Sequence, residues 1–93
     1  MEHFAEQLKA HLHKLGFTTV EQIIIQRTPD WSGDDALFVW LLQDDDVSSS
    51  DLDWAHVKPL KEAAQKMCEQ HFPDLYPYVR TRRVAEWQEI VNA

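Results

Sequence analysis

The sequence predicts an α+β protein. It reads as a single small domain in the order α-β-β-α-β-α, with a mixed three-stranded sheet and helices packed on one face. Three observations carry this expectation. Two short stretches rich in β-branched and large apolar residues are joined by a turn-rich segment, which reads as a hairpin. Two longer stretches repeat their apolar residues every three or four positions, the helical period. A chain of 93 residues, with no repeat or low-complexity tract, suits one domain spanning 1–93.

Glu2 to Leu15 reads as a helix because Phe4, Leu8, Leu12 and Leu15 fall on one stripe. Gly16 stands where a left-handed cap is needed, and Phe17 can fold back on the last turn. Val20 to Arg27 reads as a strand, since Ile23, Ile24 and Ile25 are stiff at χ1 and suit a pleated surface. "TPDWSGDD", Thr28 to Asp35, is mostly turn chemistry and predicts a long hairpin loop. Ala36 to Leu42 is apolar at every position, which predicts a central strand covered on both faces.

"QDDDVSSSDLD" has no apolar period and reads as a loop, with Ser50 and Asp53 as candidate caps for the next helix. From Trp54 to His71, Trp54, Val57, Leu60, Ala64, Met67 and Cys68 recur at helical spacing, and Phe72 follows. Pro59 lies inside and predicts a kink or a fresh start near Lys58. "FPDLYPYVRTRR" turns at Pro73 and runs on as a third strand. Tyr76, Tyr78, Arg80 and Arg82 share one of its faces. Pro77 places this strand at a sheet edge, and a helical crossover makes it parallel to its neighbour. Val84, Trp87, Ile90 and Val91 mark a short last helix, with Thr81 as its candidate cap.

The net charge of −7 opposes nonspecific binding to nucleic acid, which needs a basic footprint. It is compatible with a basic partner. One cysteine, Cys68, permits no disulfide within the chain, and the first residues lack the apolar stretch of a signal peptide. A cytoplasmic location is expected, with no membrane span.

Few residue groups invite chemistry. Asp44, Asp45 and Asp46 follow the central strand, and carboxylates there can hold Mg²⁺. No phosphate-binding loop accompanies them, so solvated acids and helix caps explain them better. Asp30, Asp34 and Asp35 crowd the hairpin loop without the spacing of a calcium loop. The five histidines lack metal-ligand spacing. Cys68 lies on an apolar stripe, the place of a small buried hydrophobe rather than a nucleophile. No enzyme activity, cofactor or metal is expected.

The third strand combines tyrosines and arginines on one face. That can stack and neutralise single-stranded nucleic acid, protect an edge, or meet a protein partner. The same arginines oppose pairing of this edge with a second copy.

"DWSGDDALFVWLLQDDD", Asp30 to Asp46, resembles a group of small uncharacterised bacterial α+β proteins. These carry an Asp-Trp-x-Gly-Asp loop before an apolar strand and an Asp-rich turn. The resemblance extends to the Pro-Tyr-Val-Arg strand. The group is associated with operons of toxin–antitoxin type, so the resemblance implies a partner-binding, accessory or antitoxin-like role. The leading expectation is therefore a non-enzymatic protein that binds another protein. Trp31 would be the aromatic anchor. Asp30, Asp34, Asp35 and Asp44 to Asp46 would form an acidic rim, and Tyr76, Tyr78, Arg80 and Arg82 the adjoining face. The alternative is a small nucleic-acid or nucleotide binder using the third strand.

Overall fold

The structure is a computed structural model that describes residues 2–46 and 54–92. Its elements run α1 (Glu2–Lys14), β1 (Val20–Pro29), β2 (Asp35–Gln43), α2 (Trp54–His71), β3 (Tyr76–Arg83) and α3 (Val84–Asn92). The sheet order is β1-β2-β3, with β1 antiparallel and β3 parallel to β2. The expected α+β class, element order and mixed sheet are all present, and β3 lies at an edge.

Strand alternation divides the sheet into two faces. Ile23, Leu37, Val39, Leu41 and Val79 point towards the helices and are buried. Phe4, Leu8 and Leu12 of α1 meet them, as do Leu60, Ala64 and Cys68 of α2. Each large side chain moved from water into this layer contributes about 1.5–3 kcal/mol. Burial pushes the Cys68 thiol up to about 11, aided by Glu69, so it stays protonated and acts as a core side chain.

The end of α1 is closed by the chemistry expected of Gly16. Its φ is 101°, Gly16 N–H donates to His13 C=O at 3.0 Å, and Phe17 N–H donates to Leu12 C=O at 2.9 Å. His13 is more than a surface histidine. Its Nε2 donates to Val20 C=O at 2.6 Å and ties the helix end to the start of β1.

Several expectations are corrected. The hairpin loop is only Asp30–Asp34, because Thr28 and Pro29 continue β1 and pair with Ala36 and Asp35. Pro59 neither restarts nor divides α2, which runs from Trp54 to His71 as one helix. Pro59 lacks the N–H that would donate to Ala55 C=O, so the helix continues past it without that ladder bond. Leu15 and Trp54, placed on apolar stripes by spacing, are exposed. Leu15 stands just past the end of α1 and Trp54 at the first position of α2. The candidate caps Ser50 and Asp53 lie outside the described residues.

The last helix departs from the one-face arrangement. Helices α1 and α2 cover one side of the sheet, whereas α3 follows β3 without a loop and sets Trp87 against Trp40, at 5.0 Å between rings. Trp40 alternates with Val39 and Leu41, so this contact is on the opposite side. Thr81 does not cap α3. Glu86 accepts from Arg83 N–H at 3.0 Å, and Asp45 accepts from Ala85 N–H at 2.9 Å. The first is one arm of a capping box, and the second is a cap supplied by the segment that follows the neighbouring strand β2. Among the described residues no helix is long and apolar enough to cross a membrane.

Candidate functional site

The face of the sheet opposite α1 and α2 is built row by row from the strand register. Thr28, Ala36 and Tyr76 form one row, and Gln26, Phe38 and Tyr78 the next. Ile24, Trp40 and Arg80 form a third row, and Leu42 with Arg82 closes the series. The phenol of Tyr78 stacks on Phe38 at 5.0 Å and 17°. Tyr76 leans on Tyr78 at 4.7 Å, and Trp31 approaches the same ring from the hairpin loop at 5.1 Å and 54°. Tyr78 is thus the centre of a four-ring cluster.

The loop that delivers Trp31 is organised by Asp30. Its Oδ1 accepts from Ser32 N–H at 2.8 Å and Asp34 N–H at 3.1 Å, and its Oδ2 accepts from Tyr78 O–H at 3.0 Å. The backbone closes around it through Asp30 N–H to Asp34 C=O at 2.9 Å and Gly33 N–H to Asp30 C=O at 3.0 Å. Gly33 takes a φ of 84°, which glycine adopts without a Cβ penalty. The result is a fixed loop whose Trp31 remains 76% exposed. A tryptophan left this exposed keeps a large apolar surface in water.

The sequence-predicted residues separate into two ends. At one end Trp31, Tyr76 and Tyr78 meet Asp30 and Asp34, while Asp35 sits beside Arg27 at 3.4 Å. That exposed pair contributes little to stability. At the other end Arg82 places its guanidinium 5.6 Å from the Trp40 ring and donates to Thr81 C=O at 2.7 Å, and Arg80 is exposed.

Asp44 to Asp46 do not join the Trp31 end. Asp44 accepts from Asp46 N–H at 3.0 Å in an Asx turn, and Asp45 holds the start of α3. Among the described residues no three His, Cys, Asp or Glu side chains converge as a metal site.

No protein family matches this chain, and no curated protein or solved structure does. The functional reading therefore rests on the face itself.

Sequence reasoning missed Phe38, Trp40 and Trp87 as parts of that face. The period-2 signal is silent where every position from 36 to 42 is apolar, so β2 alone does not say which side Phe38 and Trp40 take. Reading β2 in register with Tyr78 and Arg80 would have found them.

Burial, the Asp30 hydrogen bond and the nearby Asp30 charge all push the Tyr78 hydroxyl above its ordinary 10.0. A phenol raised on folding keeps its proton after the unfolded chain has lost its own. This contribution to stability is complete below about pH 10 and is lost as pH rises through the folded value. Alkaline titration followed by phenolate absorbance should therefore contain a late step that Tyr78→Phe removes. A late step that survives Tyr78→Phe would break the assignment.

Proposed function

We propose that this protein is a non-enzymatic binding module that captures a basic segment of a protein partner at the Trp31 end of its open sheet face. Its role would be that of an accessory or antitoxin-like protein. The observation that carries the reading is Trp31. It is fixed by its loop and by Tyr78, yet it is left 76% exposed beside Asp34 and Asp30. Three tilted rings with carboxylates at their edge suit an arginine or lysine, whose cation rests on an aromatic face and pairs with an acid. The net charge of −7 steers such a segment inward.

The test is titration with an arginine-rich peptide at low and physiological salt. Trp31→Ala should weaken binding about tenfold or more, roughly 1.4 kcal/mol, while the melting temperature stays within a few degrees. Unchanged affinity, or a large fall in melting temperature, would refute an exposed anchor.

A second reading rests on the flat Tyr78–Phe38 stack with Arg80 in the adjoining row, an arrangement that suits unpaired bases. A single-stranded oligonucleotide in the same assay separates the two. Tight, salt-sensitive binding lost in Arg80→Ala but kept in Trp31→Ala would favour nucleic acid.

A further inference from the structure

Among the described residues one polar side chain is buried. Gln43 ends β2 and continues the alternation of Leu37, Val39 and Leu41, which points towards α1 and α2. It is only 2% exposed. Its side-chain carbonyl accepts from Thr19 O–H at 2.9 Å, but its amide nitrogen has no hydrogen-bond partner among the described residues. Exchanging the amide's oxygen and nitrogen does not cure this. Thr19 would then accept one N–H, leaving the other N–H and the carbonyl unpaired. An unpaired amide in a core lowers stability, and leucine would fill similar space without that penalty.

Gln43 also forms one wall of a recess of about 250 Å³. Phe17, Thr18 and Thr19, which lead from α1 into β1, form a second wall. His56 and Leu60, in the first two turns of α2, form the third. The recess lies at the carboxyl end of β2, where the chain leaves the sheet for the helix that crosses to β3. In open sheets with helical crossovers, ligands settle outside the carboxyl ends of the strands.

The walls select the occupant. An apolar cavity of about 150 Å³ takes benzene, so this recess has room for a single ring with a small polar substituent. That substituent has to be an acceptor, because the group in need is an N–H. It has to be uncharged as well. Asp44, Asp45 and Asp46 follow Gln43 directly, the chain carries −7, and no Lys or Arg is among the described lining residues. Nε2 is out of reach of water where it stands. It meets a bound oxygen by turning about the last torsion of the side chain, which is broad in Gln.

We infer that this recess binds a small uncharged carbonyl compound of single-ring size. Its oxygen accepts from Gln43 Nε2–H, and its ring lies against Phe17 and Leu60. The site is on the helix side of the sheet and at the opposite end of β2 from Trp31. It stands independently of what Trp31 binds.

Benzamide, benzoate and toluene, titrated at millimolar concentration into the isotope-labelled full chain and followed by amide NMR, test it. Benzamide should move the Gln43 side-chain N–H signals and the backbone signals of Phe17 to Thr19 saturably. It should bind about tenfold tighter than toluene, which has the ring without the acceptor, and about tenfold tighter than benzoate, which adds the charge. Gln43→Leu should melt within a few degrees of the wild type, weaken benzamide about tenfold and leave toluene unchanged. The comparison of the three compounds needs no variant, so it decides the matter even where Gln43→Leu does not fold. Toluene or benzoate binding as well as benzamide would overturn the inference. So would benzamide binding equally well to folded Gln43→Leu. Gln43 signals that none of the three moves would also overturn it, and would assign the amide to an ordered water.

Discussion

Asp30→Ala is expected to lower unfolding free energy by about 2–3 kcal/mol, a large effect for one side chain outside the core. The reason is that one carboxylate serves three donors at once. Two are backbone N–H groups of its own loop, and the third is the Tyr78 hydroxyl 48 positions along the chain. Hydrogen bonds to a charged acceptor are worth about 1.5–3 kcal/mol when sheltered, and less where water competes. The Tyr78 bond is partly sheltered and the two loop bonds are exposed, so the sum stays below three full bonds. Urea unfolding at unchanged m-value measures it.

A cycle with Tyr78→Phe isolates the long-range bond, for which the coupling should be about 1 kcal/mol. A loss below about 0.5 kcal/mol in Asp30→Ala, the range of an ordinary surface substitution, would mean that the loop holds its shape without its acid. In that case Trp31 would not be a positioned side chain, and the proposed anchor would lose its basis.

Asp30 also marks how far the sequence could be read. Its turn role was legible, because an Asp two residues before a backbone donor in a Gly-containing loop has local chemistry to do. Its bond to Tyr78 was not, because nothing local encodes a contact across 48 positions. The same division holds elsewhere. Gly16 and Phe17 were readable as a helix end, since a C-cap is settled within six residues. The parallel placement of β3 followed from the helix between the strands.

Asp45 was read only as one of three acids, and its cap on α3 comes from 40 positions away. The side taken by α3 was hidden for the same reason. Its apolar spacing announced a helix, but the choice of face depends on Trp87 finding Trp40. The Trp31 end was legible as a cluster of types, an aromatic and several acids. That Tyr78 would be its centre required the register of three strands.

Leu41→Ala should be the most damaging single truncation considered, at about 3 kcal/mol within a range of roughly 2–5. Leu41 is fully buried in the middle of the central strand, paired with Ile23 on one side and Thr81 on the other, beneath both helices. Close-packed neighbours cannot collapse into the space its side chain leaves, so the cavity adds to the lost transfer energy. A domain of this size has a stability of only about 5–14 kcal/mol, and each kcal/mol moves its melting temperature by about 4–8 °C. A fall of roughly 12–24 °C is expected by calorimetry.

Leu15→Ala is the comparison. Leu15 shares the sequence spacing of a core residue but is 53% exposed, so its truncation should cost less than about 1 kcal/mol. Equal losses at the two positions would mean that something covers the end of α1 in solution. Because Leu41 faces the helices and Trp31 stands beyond the other side, peptide binding by the folded Leu41→Ala protein should match the wild type. Stability and binding would then be carried by opposite faces of the same three strands, each open to change without the other.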